Sequence, residues 1–120
     1  MHLRDVLAVT RADPITSEPD LDRDVRSGFA SDLMSDVLRY DASHGLLVTG
    51  LANPQVVRTA EMADVAAILM VRGKLPLPET IELAQQVGIP IIGTRLIMFE
   101  ACGRLFAAGM PAASRLYDQG

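Results

Sequence analysis

Three short runs carry residue types suited to holding an anion: Thr49-Gly50 leading to Asn53, Arg72-Gly73-Lys74, and Gly93-Thr94-Arg95. Together they supply two threonine hydroxyls, three glycines and three cations, and Lys74 is the only lysine of the chain. Each run follows an apolar segment of strand length. In a parallel sheet, ligands gather outside the carboxyl ends of the strands, where helix N-termini favour negative charge. The expectation is an anion or nucleotide pocket formed by Thr49, Gly50, Asn53, Arg72, Gly73, Lys74, Thr94 and Arg95. The competing expectation is that the glycines and hydroxyls serve turns and caps while the cations offset a negative surface.

Other chemistries fail on their residues. The run Asp20-Leu21-Asp22-Arg23-Asp24 imitates the start of a calcium loop, but Val25 holds the required glycine position and Ser31 the closing acid position. His2 and His44 have no partner at metal-ligand spacing, so no metal site is expected. Cys102 is the single cysteine, set on an apolar helical stripe, and reads as a small buried hydrophobe. There is no phosphate-loop lysine motif, no GxGxxG and no GxSxG. A receiver domain would need an acid where Thr49 stands. Ser31, Asp32 and Asp36 lack a positioned general base. No enzyme and no cofactor are implied.

The elements that position these residues follow from the apolar pattern. Residues 46–48, 66–71 and 89–92 are continuous apolar runs, as expected of strands covered on both faces. Asn53 and Pro54 open a helix after the first. Pro78 opens another that runs to Val87, with Ile81, Ala84 and Val87 inside and Gly88 as its stop. A last helix is expected over residues 96–108, closed by Gly109 and Pro111. Strand and helix alternating at this spacing imply right-handed crossovers and a three-layer α/β domain with a mostly parallel central sheet.

Upstream, residues 1–9 suit a short helix. Residues 11–24 suit an exposed acidic connection with a short edge strand near Ile15. Residues 25–30 are read as an extended segment bringing Phe29 inward. Ser31 can cap a helix through Tyr40, with Asp32 set against the positive end of its dipole. Residues 110–120 are read as a loosely held tail of the single domain.

The last helix is apolar nearly all round, with Met98, Ala101 and Leu105 on one side and Phe99, Cys102 and Phe106 on the other. It must bury two faces, either deep in the monomer or in a homodimer contact made by Phe99, Cys102, Leu105 and Phe106.

The totals bound the class. The sequence of 120 residues is 49% hydrophobic, which suits one packed domain, and its net charge of −4 argues against nucleic acid as partner. One cysteine excludes an internal disulfide. No segment reads as a signal peptide or as a bilayer-spanning run, so a soluble cytoplasmic protein is expected, with no membrane partner.

Four runs then acquire a joint meaning: GFASDLMSDVL (28–38), LLVTGLANPQVVRTAEMADV (46–65), ILMVRGK (68–74) and FEACGRL (99–105). As a set they resemble stand-alone DRTGG-domain proteins. The resemblance implies an α/β module similar to the N-terminal domain of HPr kinase/phosphorylase. Related copies accompany catalytic parts in phosphotransacetylases and in pyrophosphatases with CBS domains, which implies a regulatory or dimer-forming role. Stand-alone members are implied as accessories to hydrogenase or electron-transfer complexes. The nearest equivalent of the DRTGG string here is Thr49-Gly50 followed by Leu51-Ala52-Asn53, and the resemblance carries over no catalytic residue.

Overall fold

Consecutive apolar residues in a strand need cover on both sides, and the fold provides it with helices on each face of one sheet. The structure is a computed structural model that describes residues 1–116. Its elements are α1 (Leu3–Thr10), β1 (Asp13–Pro14), β2 (Gly28–Ala30), α2 (Met34–Val37), β3 (Tyr40–Asp41), β4 (Leu46–Thr49), α3 (Gln55–Met62), β5 (Ala67–Met70), α4 (Pro78–Val87), β6 (Ile91–Gly93), α5 (Met98–Ala107) and β7 (Ser114–Arg115). The main sheet has the order β1-β6-β5-β4-β2. β2, β4, β5 and β6 run parallel, and β1 is antiparallel to β6. This is the three-layer, mostly parallel α/β arrangement expected from the sequence.

Alternate strand residues feed two separate cores. On one face Leu46, Val48, Leu69 and Ile92 pack with Leu3 and Val6 of α1 and with Ala101 and Leu105 of α5. On the other, Leu47, Ile68, Met70 and Ile91 pack with Val56, Val57 and Ala60 of α3, Ala84 of α4, and Met34 and Val37 of α2. Each fully buried Leu, Ile, Val or Met contributes about 1.5–3 kcal/mol relative to exposure. Breaking either layer therefore strips the sheet of one of its two covers.

Helix ends follow local chemistry in two places. α4 starts on Pro78 and stops at Gly88, whose φ of 76° is the left-handed geometry that closes the helix. α3 begins one residue later than expected, with Pro54 at its N-cap, and the Asn53 side chain just ahead of it accepts the N–H of Gln55 at 3.1 Å. A third place departs from expectation. The helix expected over 31–40 is only Met34–Val37. The Ser31 hydroxyl does accept the N–H of Leu33 at 2.9 Å. Asp32 turns away toward Gly50, however, and Tyr40 leaves the helix to pair with Arg115.

The C-terminal segment also departs from the loose tail read from composition, as far as residue 116. Met110 is buried, Gly28 donates its N–H to the carbonyl of Pro111 at 2.9 Å, and Ala113 donates to the carbonyl of Gly28 at 2.9 Å. β7 then pairs antiparallel with β3. The last four residues of the expected tail lie outside the described residues.

Candidate functional site: a basic rim at the carboxyl ends of the strands

Because four strands are parallel, their carboxyl ends open on one rim. Asp32 follows β2, Gly50 follows β4, Arg72-Gly73-Lys74 follows β5, and Thr94-Arg95 follows β6. The antiparallel β1 begins at the same rim and brings Arg11 there. Sequence reasoning placed the three downstream loops together. It missed Arg11 and did not assign Asp32 to the site.

The hydroxyls are committed to the protein. Thr94 is buried, and its hydroxyl donates to the carbonyl of Thr10 at 2.6 Å while accepting the N–H of Leu96 at 3.2 Å. Thr49 is also buried, and its hydroxyl donates to Asp32 Oδ1 at 2.8 Å. The same Oδ1 accepts the backbone N–H of Gly50 at 2.7 Å. That amide hydrogen bond, with Thr49 and the fields of Arg72 and Lys74, holds the Asp32 carboxyl below its usual range against a desolvation cost. Thr49, Asn53 and Thr94 thus serve turns and caps.

The cations are differently placed. Arg11, Arg72, Lys74 and Arg95 are exposed, and none lies in an ion pair among the described residues. The backbone beneath them is tied down. Arg72 donates its N–H to the carbonyl of Leu96 at 2.8 Å, and Gly73 donates to that of Thr94 at 2.9 Å. Arg72 and Gly73 both have positive φ, 62° and 65°. These bonds lock the loops after β5 and β6 against each other, so the cations project from a rigid base.

The rim divides into two parts. At the β4 end, the Arg72 guanidinium lies over Gly50, close to the Asp32 carboxylate. At the β6 end, a cavity of about 590 Å³ is lined by Arg11, Lys74 and Arg95 with Asp13, Ile15 and Leu75.

The last helix settles which of its residues face the core. Leu105, expected at an interface, is only 3% exposed and packs inward with Ala101. Phe99 and Phe106 are 87% and 74% exposed. Cys102 is half-buried between these faces, and desolvation pushes its thiol pKa up, which disfavours the nucleophilic thiolate. Beside them runs an apolar groove of about 450 Å³, walled by Phe29, Cys102, Phe106 and Met110.

The acids at 20–24 meet chain partners rather than a common centre. Asp22 pairs with Arg4, Asp24 Oδ2 lies 3.3 Å from Arg26, and Asp20 accepts the N–H of Asp22 at 3.0 Å. Among the described residues no group of three or more His, Cys, Asp or Glu is placed to hold a metal, and no helix is long and apolar enough to cross a membrane.

No family model and no curated protein matches the sequence. A match comes from structure: the CBS and DRTGG domains of the regulatory region of Clostridium perfringens pyrophosphatase, complexed with the activator diadenosine tetraphosphate. The TM-score is 0.66 at 16% identity, over 96% of this chain and 51% of that one, so the chain spans about half the length of its neighbour. The backbone of this chain is therefore similar to that of a DRTGG-containing regulatory region, in agreement with the resemblance read from its motifs.

Proposed function

We propose that this chain is a cytoplasmic, non-enzymatic regulatory or protein-interaction module that pairs with a second copy through the outer face of α5. The observation that carries the reading is the exposure of Phe99 and Phe106 beside the apolar groove. Aromatic side chains bury about 150–250 Å² each and dominate contact energetics, and an exposed apolar patch marks an association surface. The fold likeness to a regulatory region supports the regulatory part. A place beside a hydrogenase or electron-transfer subunit is supported by the motif resemblance, and co-purification with such a subunit from native lysate tests it. For the dimer, the test is light scattering of wild type against the double variant Phe99→Asp/Phe106→Asp. The wild type elutes with twice the mass of the variant; equal masses reject the α5 contact.

A second reading is a small-molecule sensor that takes a nucleotide or other anion on the rim. The unpaired, exposed Arg72, Lys74 and Arg95 favour it, and the structural neighbour holds a nucleotide activator. Titration with ATP and with diadenosine tetraphosphate tests it, through thermal midpoint and amide chemical shifts. No response at the loops after β4, β5 and β6 rejects it.

A further inference from the structure

We infer that the rim seats the phosphate of a phosphorylated small molecule in the cavity among Arg11, Lys74 and Arg95, and not at the Gly50 amide. The inference rests on the sensor reading and gives it a location and a new residue. At the β4 end, the Gly50 amide already donates to the Asp32 carboxylate at 2.7 Å. An incoming phosphate there would have to displace a carboxylate that also holds the Thr49 hydroxyl at 2.8 Å. Like charge and an occupied donor both oppose it.

In the cavity at the β6 end no carboxylate has to be displaced from a backbone amide, and the like charge is outnumbered. Three cations line it against the single carboxylate of Asp13, which leaves an excess of positive charge. Their mounting is rigid. The Arg95 side chain passes over Gly73, with Cγ 4.0 Å from where a Cβ would stand. Arg11 closes α1 in the left-handed conformation at φ 53°. The preceding residue, Thr10, is pinned to Thr94 by the 2.6 Å hydrogen bond between their carbonyl and hydroxyl. The fixed backbone sets where the cations start, so an anion has only their side chains to order. The Thr94 hydroxyl is spent inside the protein, so charge rather than a hydroxyl network does the recognising. Ile15 and Leu75 add an apolar wall, and Leu75 is largely exposed. That combination suits a phosphate attached to an apolar or flat body.

The test is calorimetric titration of ATP and of inorganic pyrophosphate into the full chain and its variants. Arg11→Asn keeps the left-handed geometry, which asparagine tolerates, and removes the charge. Arg11→Asn and Arg95→Ala should each weaken ATP binding about tenfold or more, as expected for loss of a charge-assisted contact. Arg72→Ala should change it by less than about threefold, because that guanidinium lies over Gly50 at the β4 end and does not line the cavity. Asp13→Asn should tighten it. ATP binding more tightly than pyrophosphate supports a role for the apolar wall; equal affinities overturn that role. If the wild type binds ATP while Arg11→Asn is indifferent and Arg72→Ala abolishes binding, the seat is overturned and the sensor reading stands. If the wild type binds neither probe, both fall.

Discussion

The guanidinium of Arg72 occupies the space that a Cβ on Gly50 would need. Gly50 is therefore small because a flexible cation lies on it, and the obstacle is the mobile end of a side chain. Gly45 presents the opposite case: a Cβ there meets the Ala42 carbonyl oxygen and the Ser27 hydroxyl, each at 2.9 Å. Gly50→Ala should fold normally and lose under about 1 kcal/mol, while Gly45→Ala should lose about 1–3 kcal/mol through overpacking against fixed backbone. Urea denaturation of both variants measures the contrast, and equal losses would refute the flexible account of Arg72.

Asp32 gives a pH signature. Its pKa is lowered in the folded chain, chiefly by the Gly50 amide, so its ionised form stabilises the fold above the ordinary carboxylate pKa. That contribution is lost as pH falls through the ordinary value of about 3.9 toward the lower folded one. Wild type should exceed Asp32→Asn in stability near neutrality, and the gap should close in acid. A gap independent of pH would place the stabilisation outside the carboxylate charge.

How much of this was legible in the sequence depends on where each residue finds its partner. α4 was readable to its ends because Pro78 and Gly88 act on their own backbone. The strands were readable because both faces of the sheet are covered. The region around Asp32 was not, since its amide partner lies 18 residues downstream. Local propensity therefore favoured a helix that a tertiary contact forbids. Thr94 is a sharper case: its acceptor is 84 residues away. A hydroxyl beside a glycine and an arginine looks like a ligand contact until that distance is closed by folding. Arg11 escaped notice for the same reason, because it reaches the rim through α1 and β1 rather than through a strand exit.

The two sides of α5 should respond differently to truncation. Leu105→Ala empties a core position and should cost about 2–5 kcal/mol. Phe106→Ala in dilute protein should stay within about 0.5 kcal/mol, because its ring is mostly in water. Thermal midpoints at low and high protein concentration check both, since mass action raises the midpoint of a dimer with concentration. A concentration-dependent midpoint in wild type that survives Phe106→Ala would move the contact away from this ring.

Cys102 reports on the same face. Desolvation raises its pKa, so alkylation by iodoacetamide should be slower than that of a free thiol at neutral pH and accelerate as pH rises. Raising the protein concentration should slow it further if a second copy covers α5. Rapid labelling at neutral pH would contradict the burial of the thiol.

Thr94→Val keeps the shape but leaves the Thr10 carbonyl without its donor, at a cost of about 1–3 kcal/mol. Its amide spectrum should show change at Arg11 as well as at Leu96. A spectrum altered only at Leu96 would mean that the bond does not steady the end of α1.

The pairing of the outermost strands has a consequence for assembly. β1 ends in Pro14, which has no N–H to offer a neighbouring strand, and it is only two residues long. On the far side, both polar groups of Gly28 that point outward are taken by the chain itself at Pro111 and Ala113. The main sheet is therefore a poor template for strand addition at Pro14 and at Gly28, where the chain offers a neighbour no free donor. A copy or partner that joins this domain finds its largest apolar offer on the helical side, at Phe99 and Phe106.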